Sequence, residues 1–340
     1  MGRPGALRDR APGRPRRAPG RRPLGRPRRR LRGWTIVGRR SGRRDSGVDG
    51  LTVVDKPAEM TSHDVVARIR RIANTRRVGH GGTLDPMATG VLVVAFGRAT
   101  RLLTFVSGSD KAYTATIRLG VATVTDDADG EQLSRADASG VAEDQVRAGL
   151  AALAGDVEQI PSAVSAIKID GRRSYARVRA GEQVELKARP VRIERLELLA
   201  TRRPEPELLD CDVEVECSTG TYVRAIARDL GAALGVGGHL TALRRTRVGH
   251  FTLGDAATLE ELESGRPVRM SLSEAAAALF PRRDLAEADA ARMSHGNPLP
   301  GVGIDGPYAV FGPDGGVLAV VVERGGLARP EAVLAPASRD

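Results

Sequence analysis

The chain of 340 residues is poor in cysteine and in aromatic side chains. It has two cysteines, Cys211 and Cys217, and phenylalanine, tyrosine and tryptophan together make up 3% of its residues. A disulfide or metal framework needs more cysteines at closer spacings. Both thiols lie in LDCDVEVEC, whose alternating apolar positions predict a strand. We therefore expect two reduced, buried thiols in a cytoplasmic protein.

Long apolar runs and ligand motifs are also missing. No apolar segment approaches the roughly 20 residues that a membrane-spanning helix needs. The five histidines show no metal-ligand spacing, and neither H-E-x-x-H nor G-x-x-x-x-G-K-[ST] occurs. Gly301, Gly303 and Gly306 spell G-x-G-x-x-G, but no strand is predicted before them and no helix after them, so the context of a dinucleotide site is absent. We expect neither a metal nor a cofactor.

Positive charge is distributed unevenly along the chain. The net charge is +11, but residues 1–45 hold 17 arginines against two acids, a net of +15. The rest of the chain therefore carries −4, so a surface that binds RNA has to be a local patch.

The segment 1–47 is rich in Arg, Pro and Gly and lacks apolar periodicity, which is typical of disorder. It has three interpretations: a basic arm that adds phosphate affinity, a transit peptide, or an untranslated stretch before a start near Val48. The third is favoured, because GVDGLTVVDKP begins the folded pattern abruptly and a transit peptide would be richer in serine. Fluorescence from Trp34, the only tryptophan, in native protein would contradict the late start.

Strands and helices then interleave without regular βαβ units. This predicts an α+β catalytic domain over residues 48–254, with a mixed, mainly antiparallel sheet flanked by helices. The predicted strands are Leu51–Val54, Val91–Phe96, Lys111–Leu119, Glu185–Ala200 and Leu208–Cys217. The predicted helices are one opened by the capping box Thr61–Asp64, Val141–Leu153 and Val223–Leu234.

The pattern of predicted helices and strands changes beyond about Gly254. A small β domain is predicted over residues 255–340. Its predicted elements are a helix capped by Ser271 and Glu274, a hairpin of Tyr308–Phe311 with Val317–Val322, and a third strand at Glu331–Leu334.

The most informative segment is Gly79–Gly90, which reads GHGGTLDPMATG. Its four glycines allow tight turns and a close backbone approach to a ligand. Pro86 restricts Asp85 to an extended conformation and so fixes the direction of its carboxylate. On these residues alone the segment could be a polar loop with one turn aspartate. The combination of a lone His80 and Asp85 among glycines, with arginines before them and a strand after them, raises the alternative of a functional site.

This segment resembles the signature of the bacterial tRNA pseudouridine-55 synthases of the TruB family. The similarity covers roughly residues 50–250. It continues in order through Leu51–Pro57 (LTVVDKP), Asp110–Tyr113 (DKAY), Asp126–Gly130 (DDADG), Gln159–Lys168 (QIPSAVSAIK), Gly220–Arg224 (GTYVR) and Asp229–Arg245 (DLGAALGVGGHLTALRR). Several motifs in the right order are far more specific than one.

The resemblance implies an enzyme that isomerises the T-loop uridine of tRNA (U55) without a cofactor. It implies Asp85 as the nucleophile, Arg224 as the cation that pairs with it, and Tyr222 as an active-site tyrosine that contacts the uracil. Whether Asp85 attacks the base or the sugar C1′ stays open.

The resemblance also implies a set of substrate-binding residues. His80 matches the side chain that enters the RNA loop when the uridine flips out, and Tyr113 matches the tyrosine that stacks on the flipped base. Leu243 matches a pocket wall, and Lys56 matches a lysine near the site. The arginines within 68–77 and 244–247 are candidates for phosphate contacts; a solvated helix face is the alternative for the first group.

The C-terminal part matches the family's RNA-binding PUA domain only weakly and looks like the shorter variant of a high-GC bacterial subgroup. We expect a monomer in the cytoplasm that binds the T-arm and elbow of tRNA and needs no protein partner. The alternatives are a guide-dependent synthase, which needs partner proteins and a full PUA domain, and a tRNA-folding chaperone.

Overall fold

The structure is a computed structural model and describes residues 47–162, 168–169, 172–173 and 187–336. The predictions for the Arg-rich tail lie outside the described residues, apart from Gly47, as does the start of the predicted strand Glu185–Ala200.

The described residues form twenty strands and seven α-helices, joined by loops and turns. The strands, in chain order, are β1 (Gly50–Lys56), β2 (Val78–His80), β3 (Thr89–Phe96), β4 (Lys111–Leu119), β5 (Val121–Thr123), β6 (Gln132–Arg135), β7 (Gly155–Gln159), β8 (Lys168–Ile169), β9 (Arg172–Arg173), β10 (Arg189–Arg202), β11 (Leu209–Cys217), β12 (Gly238–Val248), β13 (Phe251–Thr252), β14 (Ala256–Ala257), β15 (Met270–Ser271), β16 (Arg282–Asp284), β17 (Leu299–Pro300), β18 (Pro307–Phe311), β19 (Val317–Arg324) and β20 (Leu327–Val333). The α-helices are α1 (Ser62–Ile72), α2 (Leu103–Gly108), α3 (Glu143–Ala152), α4 (Val223–Ala233), α5 (Leu259–Ser264), α6 (Leu272–Leu279) and α7 (Glu287–Ser294).

One large sheet organises the fold. Its strand order is β14-β1-β3-β12-β4-β11-β10-β7, with β2, β13 and β15 paired at its margins. Neighbours along this path are antiparallel except β1 with β14 and β3 with β12. The prediction of a mixed, mainly antiparallel sheet is confirmed. No helix in the described part of the chain is long and apolar enough to cross a membrane.

The parallel contact of β3 with β12 is short and lies at the centre of the sheet. It pairs Thr89 with Arg244 and Gly90 with Arg245. Gly90 has a φ of 98°, and a Cβ there would collide with the backbone of Arg245. A glycine is therefore required at this end of the motif, because only glycine allows this conformation and this approach.

The two faces of β3 belong to different cores. Leu92, Val94 and Phe96 pack with α1 and the cluster that continues to α3 and α4. The alternate residues Val91, Val93 and Ala95 pack into a second cluster, which includes Phe280 and Phe311 from the C-terminal part. This explains why the strand is apolar at every position, since both its faces are buried.

The C-terminal part contains a separate five-stranded sheet of order β16-β18-β19-β20-β17. It confirms the predicted hairpin and third strand, although the third strand is Leu327–Val333 rather than Glu331–Leu334. The domain boundary at residue 254 stays a prediction, and β14 and β15 beyond it pair with β1 of the large sheet.

Most predicted elements agree with the structure to within a few residues. Both capping boxes, Thr61–Asp64 and Ser271–Glu274, are present. Cys211 and Cys217 are free thiols, and their strand β11 buries every odd-numbered side chain. Six strands of the large sheet were not predicted, namely β2, β7, β12, β13, β14 and β15, and β12 lines the site.

Candidate active site

An open cavity of about 410 Å³ lies beside the loop between β2 and β3. Five of the seven predicted site residues line it: Asp85, Tyr113, Tyr222, Arg224 and Leu243. They come from the β2–β3 loop, β4, the start of α4, and β12. The fold therefore brings together residues that are up to 158 positions apart in the sequence.

Asp85 and Arg224 form an ion pair at the cavity. Arg224 Nε lies 3.1 Å from Asp85 Oδ2, and its Nη2 donates to Asp85 Oδ1 over 3.4 Å. The Asp85 side chain is 36% exposed, whereas that of Arg224 is 5% exposed. The carboxylate thus faces the cavity while its cation is anchored inside the protein.

Arg224 also binds a second carboxylate. Its Nη1 lies 3.2 Å from Asp127 Oδ2 and donates to the carbonyl of Thr125 over 2.8 Å. Asp127 is buried, and its other oxygen accepts bonds from the backbone of Asp129 and the hydroxyl of Thr125. Asp127 therefore fixes the guanidinium at a single orientation, and the sequence did not predict this role for it.

Burial raises the pKa of Asp85 above its usual value, and the positive charge of Arg224 opposes this. Asp127 and Asp129 raise the pKa further, and Lys56 lowers it. The two cations thus favour the ionised carboxylate, which is the form that acts as a nucleophile. Because Asp127 shares the arginine, Arg224 offsets the effect of burial only in part.

Two buried polar side chains hold the backbone on both sides of Asp85. The Ser62 hydroxyl accepts from Leu84 N over 2.8 Å and donates to Leu84 O over 3.1 Å. Lys56 Nζ donates to the carbonyl of Pro86 over 3.1 Å. Residues 84 and 86 are therefore both fixed, and the loop presents Asp85 in one place.

Arg245 fixes the beginning of the same loop. It is 1% exposed and donates to the carbonyls of Gly82, Thr83 and Val91, of which the bond to Val91 is shortest at 2.7 Å. Its positive charge also lies near the phenol of Tyr113 and lowers the pKa of that group, against the larger effect of burial. The prediction that Arg245 contacts phosphate is wrong, because its guanidinium is buried and already donates to three backbone carbonyls.

The other arginines of that prediction divide into two groups. Arg68 is bound to Glu260 and Glu263, Arg244 to Asp55, and Arg247 to Glu216. These internal partners favour structural roles for them. Arg70 and Arg71 in the last turn of α1, and Arg76 and Arg77 after it, are exposed and form no ion pair with an acid among the described residues. Arg70 donates instead to the carbonyl of Val78 over 3.0 Å.

His80 lies at the end of β2, outside the cavity lining. Its ring is 5.6 Å from that of His63, in an edge-to-face arrangement. Burial lowers the pKa of His80, and the nearby charge of His63 lowers it further. The imidazole is therefore held in the neutral form, which suits stacking on bases.

Tyr113 and Leu243 line the cavity from the neighbouring strands β4 and β12. Tyr113 is paired with Arg245, and Leu243 with Ala115, across β4 and β12. Both side chains are buried, at 7% exposure each. Burial raises the pKa of the Tyr113 phenol, so it stays protonated at neutral pH.

Lys56 is fully buried and does not line the cavity, so it supports the loop from behind. Burial lowers the pKa of Lys56 to about 8, and Asp85 opposes the shift. Between pH 8 and 10.5 the folded chain has released a proton that the unfolded chain still holds, so stability rises with pH through this window.

When the pH is raised from 7.5 to 9.5, we expect the free energy of unfolding of wild type to increase by about 2 kcal/mol relative to that of Lys56→Met. Urea unfolding of both proteins at the two pH values measures this difference. The same comparison with Lys187→Met, a change at an exposed lysine, serves as the control. A difference that does not change with pH would show that Lys56 keeps an ordinary pKa.

Family models match nearly all of the described chain. Residues 70–223 match the TruB family pseudouridylate synthase N-terminal domain. Residues 224–271 match the tRNA pseudouridylate synthase B C-terminal domain, and residues 280–335 match the tRNA pseudouridine synthase II C-terminal domain.

Individual relatives agree with these matches. The chain is 55% identical over 302 residues to tRNA pseudouridine synthase B of Arthrobacter sp. (strain FB24), covering 86% of this chain and 98% of that protein. It is 56% identical over 290 residues to tRNA pseudouridine synthase B of Rhodococcus jostii, covering 85% and 95%. It is also similar to a solved H/ACA RNP bound to a substrate RNA containing 2'-deoxyuridine, at 25% identity and a TM-score of 0.62, covering 84% of this chain and 85% of that one. The chain therefore belongs to the TruB family of pseudouridylate synthases.

Proposed function

We propose that the chain isomerises the T-loop uridine of tRNA (U55) to pseudouridine, acting without a guide RNA and with Asp85 as its nucleophile. Pseudouridine formation in tRNA is the activity of its family and of relatives that match 85% of its length. The observation that supports the site is the Asp85 carboxylate, exposed to a cavity and paired with the buried Arg224.

The reaction is an isomerisation with no external group and no redox change. The bond from ribose C1′ to uracil N1 breaks, the base turns within the pocket, and a new bond joins C1′ to C5. The hydrogen on C5 leaves as a proton, and N1 gains a proton. The protein has to supply a nucleophile, a closed space for the detached base and a proton acceptor.

The residues at the cavity match these needs. Asp85 is the nucleophile, and Arg224 keeps it in place and favours its ionised form. Tyr222 lies beside Asp85 in the lining and accepts or relays the C5 proton. Tyr113 and Leu243 supply a stacking surface and an apolar floor. The cavity volume of about 410 Å³ is in the range of ordinary ligand pockets.

The target base is stacked within the tRNA and has to be extruded before it can react. His80, whose pKa is lowered by burial, fills the space that the uridine leaves. The exposed Arg71, in the last turn of α1, and Arg76 and Arg77, just after this helix, contact phosphates of the T-arm. This places the basic patch on the folded domain rather than in the tail.

Two other activities are less well supported. A guide-dependent synthase is the less favoured alternative, because the tRNA-specific relatives are 55% identical and the RNP structure only 25%. A pure folding chaperone would not require a carboxylate paired with a buried arginine in a cavity. We further propose that the chain acts as a monomer in the cytoplasm, where its tRNA substrates are made, with no obligate protein partner.

Tritium release from a T-arm minihelix labelled at uridine C5 tests the proposal. We expect the purified chain to release one tritium per minihelix, with no added RNA or protein. The matched control is a minihelix labelled only at uridines outside the T-loop, which is expected to release none. Binding without release would support the chaperone, and release only with an added guide RNA would support the guide-dependent enzyme.

A further inference from the structure

Gln159 makes two hydrogen bonds to one residue of the active site. It is the last residue of β7, at the edge of the large sheet, and is 5% exposed. Its Oε1 accepts from the backbone N–H of Tyr222 over 2.7 Å, and its Nε2 donates to the carbonyl of Tyr222 over 3.1 Å. A side-chain amide is the group that matches both a backbone donor and a backbone acceptor.

Tyr222 is the N-cap residue of α4, and no side chain of its own caps the helix. Its backbone direction determines where the phenol points and where the first turn of α4 begins. Arg224 lies two residues further in that turn and reaches Asp85. A residue that fixes the backbone of Tyr222 therefore fixes two of the three catalytic side chains.

The rest of the turn before Tyr222 is anchored by other bonds. Ser218 exchanges hydrogen bonds with Arg192 of β10, and Thr219 donates to the carbonyl of Ser107. The carbonyl of Ile160, next to Gln159, accepts from Arg228 over 2.7 Å. The end of β7 is thus hydrogen-bonded to α4 at two points. Of these two contacts, the one made by Gln159 is with Tyr222 itself.

We propose that Gln159 is a positioning residue for catalysis, which holds Tyr222 and through it the start of α4 in the reactive geometry. The inference rests on the proposed function for the roles of Tyr222 and Arg224. It concerns a residue outside the cavity lining that contacts no substrate. Its contribution is expected in kcat, since small displacements of reacting groups cost roughly 10- to 100-fold in rate.

Two substitutions test it. Gln159→Leu removes both bonds, and Gln159→Glu keeps the acceptor but loses the donor while its carboxyl is ionised. We expect Gln159→Leu to lower kcat of tritium release roughly 10- to 100-fold, with the Kd for tRNA changed less than threefold. For Gln159→Glu, the activity relative to wild type is expected to rise as the pH falls from 8 to 5, because a protonated carboxyl donates again to Tyr222.

Gln145→Glu is the matched control, since its side-chain oxygen accepts from Ala142 N at an exposed helix start and a carboxylate serves equally there. Its relative activity should stay flat with pH. Wild-type kcat in Gln159→Leu, or a flat pH ratio in Gln159→Glu, would overturn the inference. If wild type releases no tritium, the proposed function fails instead. In that case crystal structures of the two Gln159 variants test the inference. A displaced Tyr222 would support it, and an unmoved Tyr222 would overturn it.

Discussion

Asp85→Asn is expected to abolish pseudouridine formation while leaving tRNA binding intact. Asparagine has nearly the same size and keeps the extended backbone that Pro86 imposes, but its amide is not a nucleophile. Loss of a nucleophile in enzymes with covalent intermediates lowers kcat by roughly 10⁴- to 10⁶-fold. Tritium release from labelled tRNA under single-turnover conditions measures this, and filter binding gives the Kd.

The matched control is Asp305→Asn, an exposed aspartate of the C-terminal domain. It makes the same change of charge and should keep wild-type rate and affinity. Because the pKa of Asp85 is raised in the fold and Arg224 keeps Asp127 as a partner, removal of the Asp85 charge is not expected to lower thermal stability. Release by Asp85→Asn at even a few per cent of the wild-type rate would assign the nucleophile elsewhere.

Arg224→Met is expected to have the second largest effect. It leaves Asp127 buried without its partner, and breaking a buried ion pair costs about 3–5 kcal/mol of folding stability. It also removes the cation that lowers the pKa of Asp85. The carboxylate reacts only when ionised, so its higher pKa moves the acid limb of the kcat profile to higher pH. At neutral pH we expect kcat to fall by roughly 10²-fold or more.

Arg224→Lys separates charge from geometry at this position. Lysine keeps the positive charge, but one ammonium group cannot reproduce the fork that binds Asp85, Asp127 and the carbonyl of Thr125 together. Its acid limb should therefore lie nearer to that of wild type, while its kcat stays low. The pH profiles of both variants and of the exposed control Arg329→Met measure this, and an unshifted acid limb in Arg224→Met would contradict the proposed pairing.

The fold could be predicted from sequence where local patterns are strong. Helix α1 has both a capping box and a buried stripe, and β4 and β11 alternate cleanly. Strand β12 was not predicted, because its apolar pattern is interrupted by arginines whose partners lie far away in the sequence. Arg245 bonds to residues 82, 83 and 91, and no local rule indicates that an arginine belongs in a core.

The site was predictable to a similar extent. Residues within the recognisable motifs, such as Asp85, Tyr222 and Arg224, could be named in advance, and the fold places them at one cavity. Their roles stay predictions. The supporting residues Ser62, Asp127 and Gln159 act by binding backbone groups or a guanidinium across the fold. Asp127 and Gln159 lie in motifs of the family resemblance, but such a role depends on tertiary geometry, so the motifs did not indicate it.

The second apolar cluster changes how the C-terminal part should be regarded. Val91, Val93 and Ala95 of β3 belong to an apolar cluster that also contains Phe280 and Phe311 of the C-terminal part. A chain that ended before residue 280 would lack these two aromatic side chains. It would leave part of this apolar cluster exposed to solvent, which favours aggregation. The C-terminal part therefore contributes to the burial of apolar side chains of the large sheet. A catalytic fragment made for study would need polar replacements in this cluster before it could remain dispersed in solution.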